Sequence, residues 1–238
     1  MRQSHKPVIF LRKAGEYTVE KRLGQGRYGI CYLAKDSQNR PVVLKYFRQN
    51  TRKHYWDYVQ WEAVVLSGLS HPSVPEFLGV INEGRRYFFV LEYMPGDSLK
   101  SLLFQKHRQF SSEEIFQIGN QLLEVLLYIH SRSVVHGDIS ISNVLYDGHQ
   151  ISLLDFGLSA YTGLKGLERD LDYACFGNLL LYLLYSGYRG EKRDAWYEEL
   201  PLTEGQKDFL KRLLGLKNRF TDTETVRKEF IRNFSLKQ

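Results

Sequence analysis

Three polar residues stand at fixed spacing in the middle of the chain, each beside a short apolar segment. Asp138 and Asn143 lie five residues apart in the run 136–143, and Asp155 follows twelve residues later in Asp155-Phe156-Gly157. The flanking apolar segments are typical of short buried strands. We therefore expect a fold in which distant segments bring two carboxylates and one amide into a common cleft.

This set of side chains suits the transfer of a phosphoryl group from a nucleotide. One carboxylate can orient an attacking hydroxyl, while an amide and a second carboxylate hold Mg²⁺. Each residue alone also has an ordinary explanation, because Asp is common in turns and Asn at helix caps. The complete set at this spacing favours the catalytic interpretation.

A glycine-rich segment precedes these residues. The run Gly24-Gln25-Gly26-Arg27-Tyr28-Gly29 has the spacing G-x-G-x-x-G. In dinucleotide-binding folds such a loop opens a helix, whereas residues 30–35 have the pattern of a strand. A glycine loop between two strands lets backbone N–H groups close over phosphates, and a plain hairpin turn is the alternative.

Two charged residues follow in apolar surroundings. Lys45 lies in the apolar strand predicted at 42–47, and residues 54–69 have helical periodicity. Glu62 falls within the apolar stripe of that helix, which is made of Tyr58, Val65, Leu66 and Leu69. An ionised carboxylate is costly there unless it is paired, so Lys45 is the expected partner, although an ordinary edge lysine is the alternative.

The remaining pattern predicts a sheet followed by helices. We expect strands at 17–23, 30–35 and 42–47 and a hairpin of 77–81 with 86–92. Beyond residue 95 the chain is mostly helical, with helix starts at Ser111, Thr203 and Thr221 that have capping-box spacing. Residues 171–186 are apolar on nearly every side, which predicts a buried central helix.

Together these motifs resemble the protein-kinase superfamily over roughly residues 17–232. The resemblance implies an α+β, bilobal fold: an N-terminal extension (1–16), a small antiparallel β N-lobe with one helix (17–95) and a mainly helical C-lobe (96–238). It implies ATP and Mg²⁺ as cofactors. The implied catalytic residues are Asp138, Lys45 and Glu62, and the implied metal ligands are Asn143 and Asp155.

The resemblance also implies where the nucleotide binds. The backbone groups of Glu92 and Met94 would meet the adenine edge, and apolar side chains would sandwich its ring. The implied nucleotide-binding residues are Leu23, Gly24, Gln25, Gly26, Arg27, Tyr28, Gly29, Cys31, Val43, Lys45, Glu92, Met94 and Leu145. Asp172 resembles the acid that hydrogen-bonds the catalytic-loop backbone in this family.

The chain departs from the family pattern at three places. Gly137 replaces the arginine that usually pairs with a phosphorylated activation loop. Only seventeen residues separate Asp155 from Asp172, and no Ala-Pro-Glu motif follows. Ser140 stands where a lysine usually touches the γ-phosphate. The first two losses imply a kinase that is not switched on by loop phosphorylation, and the third implies slower transfer or a different acceptor.

Arg219 matches a late arginine whose usual partner belongs to the missing motif, so its partner here is open. The short segment is similar to that of the small kinases of the KEOPS complex. The regular glycine loop and His71-Pro72 resemble the Hanks-type kinases more closely. We therefore expect a compact, bacterial, eukaryotic-like Ser/Thr kinase.

Composition narrows the partners and the compartment. The net charge of +6 on 238 residues is a modest basic excess without a block of like charges, so no nucleic-acid partner is expected. Cys31 and Cys175 lie in unrelated contexts, which favours a reducing, cytoplasmic location. The apolar stretch at 179–185 is too short to span a membrane.

The expected function is Mg²⁺- and ATP-dependent phosphorylation of Ser/Thr hydroxyls on a protein substrate. Two alternatives remain at this point. One is an atypical ATPase or small-molecule kinase like those of the KEOPS complex, suggested by the missing peptide-docking segment. The other is a nucleotide-binding pseudokinase, which the complete set of polar residues makes less favoured.

Overall fold

The chain divides into two units, one made of residues 1–55 and 76–93 and the other of residues 56–75 and 94–238. The structure is a computed structural model and describes residues 12–25, 29–47, 53–84, 86–164, 168–191 and 194–235. One unit is an antiparallel sheet and the other is mainly helical. The expected α+β fold class is confirmed.

The first unit is built on a six-stranded sheet in the order β1-β2-β3-β4-β6-β5. All neighbouring strands are antiparallel. The strands are β1 (Lys13–Ala14), β2 (Tyr17–Gln25), β3 (Gly29–Lys35), β4 (Pro41–Phe47), β5 (Phe77–Glu83) and β6 (Arg86–Glu92). The strands expected from the sequence are therefore confirmed.

The two faces of this sheet differ in what they carry. Because side chains alternate along a strand, Val42 and Leu44 of β4 point to one face, and Val43 and Lys45 point to the other. The first face belongs to an apolar core whose buried members are Ala14, Ala34, Val42, Leu44, Phe88 and Val90. The alternation thus places Lys45 on the face opposite this core.

The second unit contains most of the helices. Helix α1 (Lys53–Ser67) enters it at residue 56, and its Glu62, Val65 and Leu66 are buried as predicted, whereas the Tyr58 side chain lies outside the described part. The elements that follow are β7 (Asp97–Ser98), α2 (Leu99–Phe104), α3 (Ser112–Ser131), β8 (Val134–Val135), β9 (Val144–Tyr146), β10 (Ile151–Leu153), β11 (Ala160–Tyr161), α4 (Arg169–Tyr185), α5 (Trp196–Glu199), α6 (Glu204–Leu213) and α7 (Thr223–Phe234).

Helix caps set the starts of three of these helices. Capping boxes at Ser111 for α3 and Thr203 for α6 are present as expected. The start expected at Thr221 is wrong by one residue, because Asp222 caps α7 and its Oδ1 accepts a hydrogen bond from the Thr225 N–H at 2.7 Å. A carboxylate interacts with the positive end of the helix dipole more strongly than a hydroxyl does. Thr223 is consequently the first residue of α7.

Helix α4 is less enclosed than its composition predicts. Phe176, Leu179 and Leu180 are buried, but Leu171 and Tyr182 are 37% and 48% exposed. The exposed Tyr182 ring packs edge-on against Phe104 of α2, with the centroids 6.2 Å apart. The expectation of a buried central helix is therefore wrong for one flank, where Leu171 and Tyr182 are exposed.

Candidate active site

The β9–β10 hairpin brings Asn143 and Asp155 to the same end of the second unit's small sheet. Val144 and Leu153 are partners in the antiparallel register. Asn143 directly precedes β9 and Leu154 directly follows β10, and the Leu154 N–H donates to the Asn143 carbonyl at 2.7 Å. The residues directly before β9 and shortly after β10 are thereby held side by side, which explains why residues twelve positions apart can share one site.

Asn143 also binds Asp138. Its side-chain Nδ2 donates to the Asp138 Oδ2 at 3.0 Å and to the Asp138 carbonyl at 2.9 Å. Both partners are oxygen acceptors, so the amide nitrogen must face them. The amide oxygen of Asn143 is then the atom available to a cation, while the Asp138 carboxylate is held beside it.

His136 ties the loop that carries Asp138 to the segment that carries Asp155. The imidazole Nε2–H donates to the Leu154 carbonyl at 3.1 Å, and Nδ1 accepts from the Asp138 N–H at 3.2 Å. The ring also packs edge-on against Phe156, with centroids 4.6 Å apart. Burial lowers the pKa of His136, so the ring is neutral and can accept and donate in this way.

Asp172 holds the same loop from helix α4. Its Oδ2 accepts from the His136 N–H and its Oδ1 from the Gly137 N–H, both at 2.8 Å. This confirms the contact that the family resemblance implied. Gly137 has φ +78°, a region that favours glycine. The residue that replaces the usual arginine therefore suits the backbone conformation in which both N–H groups reach one carboxylate.

The short segment after Asp155 is fastened by hydrogen bonds. Strand β11 pairs with β8, and β8 is the strand that directly precedes His136. Thr162 donates from its N–H and from its Oγ1 to the Ser133 carbonyl, at 2.7 and 3.1 Å. Arg219 forms an ion pair with Asp170 in the first turn of α4, which gives this arginine a partner in place of the missing motif. The described residues of this segment are thus held by contacts within the protein.

In the first unit, one face of the sheet carries three of the predicted nucleotide-binding residues. Cys31 lies opposite Lys45 in the β3–β4 register, so it shares the face of Val43 and Lys45. Lys45 is 5% exposed, and its Nζ lies 5.6 Å from the centroid of the Phe47 ring. Glu62, which belongs to the second unit, is 2% exposed. Pairing of Lys45 with Glu62 stays a prediction.

The glycines that flank the loop differ in their surroundings. A Cβ atom on Gly29 would lie 2.3 Å from the Tyr46 carbonyl oxygen, so the approach of β4 itself requires glycine there. A Cβ on Gly24 would meet nothing within 4 Å. Packing within the unit therefore does not account for Gly24. Gln25 ends β2, and Gly26, Arg27 and Tyr28 lie outside the described residues.

The other predicted nucleotide-binding residues are spread over both units. Leu23 is 44% exposed beside a register shift in β2, and Glu92 ends β6. Met94 is buried, and Leu145 lies in the middle of β9. Their contact with adenine stays a prediction.

The donor groups in the second unit fit Mg²⁺. Mg²⁺ usually takes one or two carboxylates and completes its shell with phosphate oxygens and water. The Asn143 amide oxygen and the Asp155 carboxylate are donors of that kind. Among the described residues, no group of three or more His, Cys, Asp and Glu side chains could hold a metal ion.

Sequence reasoning missed a buried polar group behind the catalytic loop. His130 of α3 contacts Asp172 through Nε2 at 2.9 Å and Thr223 through Nδ1 at 2.7 Å. The Asp222-x-x-Thr225 spacing could have placed the start of α7 correctly. His130 stands in an apolar helical pattern without a local signal of its role.

Comparison with known proteins agrees with this geometry. Residues 17–173 match the family model of the protein kinase domain. The chain is 34% identical over 228 residues to the probable serine/threonine-protein kinase YbdM of Bacillus subtilis, covering 91% of this chain and 89% of that protein. The chain belongs to the protein kinase family, and the expected compact Hanks-type form is confirmed.

Eukaryotic relatives match over a smaller part of their length. Aurora kinase B of Xenopus tropicalis is 31% identical over 187 residues, which cover 76% of this chain and 51% of that protein. CBL-interacting protein kinase 31 of Oryza sativa is 31% identical over 155 residues, which cover 63% of this chain and 34% of that protein.

The described part of the chain contains no helix of the length and apolar character that crossing a membrane requires.

Proposed function

We propose that the chain transfers the γ-phosphate of ATP to Ser or Thr hydroxyls of protein substrates, with Mg²⁺ as the metal. The observation that carries this proposal is the 3.0 Å hydrogen bond from Asn143 Nδ2 to Asp138 Oδ2 at the end of the hairpin that leads to Asp155. It keeps a candidate base and a candidate metal ligand adjacent. The match to YbdM, named as a probable serine/threonine-protein kinase, supports the choice of acceptor.

The second unit supplies the chemistry. Asp138 orients the acceptor hydroxyl and takes its proton, which contributes about 10²–10⁴-fold to the rate. Asn143, through its amide oxygen, and Asp155 hold the metal. When bound, Mg²⁺ neutralises charge on the phosphate oxygens. His136 and Asp172 keep the loop in place through its backbone.

The first unit supplies most nucleotide contacts. Lys45 binds the phosphates and has Glu62 as its partner, since a buried charge is costly unless it is paired. Cys31 and Val43, which share the face of Lys45, contact the adenine together with Leu23 and Leu145. Backbone groups of eight further residues contact the nucleotide: Gly24, Gln25, Gly26, Arg27, Tyr28, Gly29, Glu92 and Met94. Residues 17–95 and 96–238 serve as the two lobes.

Activity does not require phosphorylation of the segment after Asp155. Thr162 and β11 already fasten that segment to Ser133 and β8. Gly137 has no side chain that could bind a phosphate group on this segment.

The expected cytoplasmic location belongs to the same proposal and rests on the two separate cysteines.

The test is transfer of label from γ-labelled ATP to a generic protein acceptor such as casein. We expect label on Ser or Thr after acid hydrolysis, and about 10²–10⁴-fold less with Asp138→Asn. Asp208→Asn, an exposed residue of α6 paired with Lys217, serves as the control. Equal labelling by Asp138→Asn would contradict the site. Phosphate release without protein labelling would contradict the assignment of the acceptor.

A further inference from the structure

Four buried polar side chains form a continuous path from the start of α7 to the catalytic loop. The Tyr173 hydroxyl lies 2.8 Å from the Thr223 Oγ1, which lies 2.7 Å from the His130 Nδ1. The His130 Nε2 lies 2.9 Å from the Asp172 Oδ2. All four residues are more than nine-tenths buried. Asp172 in turn accepts hydrogen bonds from the N–H groups of His136 and Gly137, so the path ends at the two residues that directly precede Asp138.

The chemistry of the partners gives these hydrogen bonds a direction. The Asp172 carboxylate accepts backbone N–H groups at both oxygens, so the His130 Nε2 must be a donor to it. In a neutral ring, Nδ1 is then an acceptor, and the Thr223 hydroxyl is placed to donate to it. The Thr223 oxygen accepts in turn from Tyr173, and burial raises the pKa of this phenol, which keeps its proton. The assigned order of donors is Tyr173, Thr223, His130.

We infer that Thr223 is a positioning residue for phosphoryl transfer: its hydroxyl holds His130 as the Nε2–H tautomer, and His130 thereby aims the Asp172 carboxylate at the N–H groups of His136 and Gly137. This inference rests on the proposed function, in which Asp138, the residue directly after Gly137, orients the acceptor hydroxyl. With the other tautomer, an unprotonated Nε2 would face Asp172 Oδ2, and the two acceptors would repel each other.

Helix α7 is fixed so that Thr223 can act in this way. The Asp222 cap determines that α7 begins at Thr223. Arg227, one turn further on, donates from its Nη2 to Glu124 Oε1 of α3 at 2.8 Å. A Cβ on Gly119 of α3 would lie 2.4 Å from the Phe230 ring, so the two helices approach closely. His130 lies on α3 as well, and its distance from Thr223 is therefore set by helix packing.

The ordinary explanation is that Thr223 only stabilises α7. Thr223→Val removes the hydroxyl at nearly constant volume, and Thr223→Ser keeps it. Thr225→Val is the matched control, because it removes a hydroxyl from the same turn that donates to Asp222 at 2.8 Å, outside the path to His130. We expect kcat to fall about three- to tenfold in Thr223→Val, with KM for ATP unchanged, as for the loss of one hydrogen bond. Thr223→Ser should keep most of the activity, and Thr225→Val should match wild type.

A second readout does not depend on activity. Long-range ¹H–¹⁵N NMR spectra of ¹⁵N-histidine protein should show Nε2 protonated and Nδ1 unprotonated in His130. In Thr223→Val, that pattern and the amide signals of His136 and Gly137 should change, whereas Thr225→Val should leave them in place. Should Thr223→Val fail to fold, Tyr173→Phe removes the first donor of the path and should move the same signals.

The two possible failures are distinguishable. Identical His130 and loop signals in Thr223→Val and Thr225→Val, or equal kcat values for the two, would overturn the inference even if wild type is an active kinase. A wild type that transfers no phosphate would instead contradict the proposed function, while the NMR comparison would still decide whether Thr223 sets the tautomer.

Discussion

The nucleotide-binding face of the first unit and the catalytic loop of the second are held in different ways. In the first unit, strand alternation alone places Cys31, Val43 and Lys45 on one face, opposite the apolar core. In the second, the position of Asp138 depends on hydrogen bonds that the Asp172 carboxylate and the His136 Nδ1 accept from backbone N–H groups of the loop. Substitutions of single polar groups should therefore affect the second unit more than the first.

The largest expected effect follows from removing the buried carboxylate of the second unit. Asp172→Ala leaves His130 and two loop N–H groups without their acceptor, and we expect the free energy of unfolding to fall by about 3–5 kcal/mol. Asp170→Ala, two residues away, removes only a partly exposed ion pair with Arg219 and should cost less than about 1 kcal/mol. Urea unfolding of both variants measures the difference. Equal losses would mean that the polar network does not hold the loop.

A pair of glycine variants tests the first unit. Gly29→Ala places a Cβ against the Tyr46 carbonyl and should destabilise the sheet by about 1–3 kcal/mol. Gly24→Ala meets no neighbour, so stability should be retained while KM for ATP rises several-fold. Thermal unfolding and initial rates at varied ATP concentration check both results. If Gly24→Ala unfolds as readily as Gly29→Ala, Gly24 has a structural role instead.

The pH dependence of stability should also report on the second unit. Burial lowers the pKa of His71 and His136 below the ordinary value near 6.5. The unfolded chain then takes up protons first, so stability is complete above about pH 6.5 and is lost as the pH falls. The limiting slope for the fully buried His136 is about 1.4 kcal/mol per pH unit. Urea unfolding between pH 5 and 7.5 measures it, and a flat profile would contradict the neutral, buried His136.

These contrasts explain what the sequence could and could not predict. Period-two alternation and glycine spacing predicted the strands of the first unit, and helical periodicity placed Glu62 on a buried face. The spacing of Asp138, Asn143 and Asp155 indicated one site because a short loop joins the first two and a short hairpin joins the last two.

The contacts of His130 with Asp172 and Thr223 were beyond such reasoning. His130, Asp172 and Thr223 are separated by tens of residues and meet only through helix packing, which leaves no local pattern. The start of α7 was misplaced because Thr221 and Asp222 compete for the same cap. The exposed flank of α4 was missed because apolar composition does not report which side of a helix is covered.

The most direct test of the central claim separates the metal ligands from the residue that orients the hydroxyl. Electron paramagnetic resonance measures the affinity of each variant for Mn²⁺ in the presence of a non-hydrolysable ATP analogue. We expect Asp155→Asn to weaken Mn²⁺ binding by about tenfold or more. Asp138→Asn should bind the metal nearly as wild type does, since it retains an oxygen that accepts the Asn143 amide. Unchanged metal binding by Asp155→Asn, or equal losses in the two variants, would contradict the assignment.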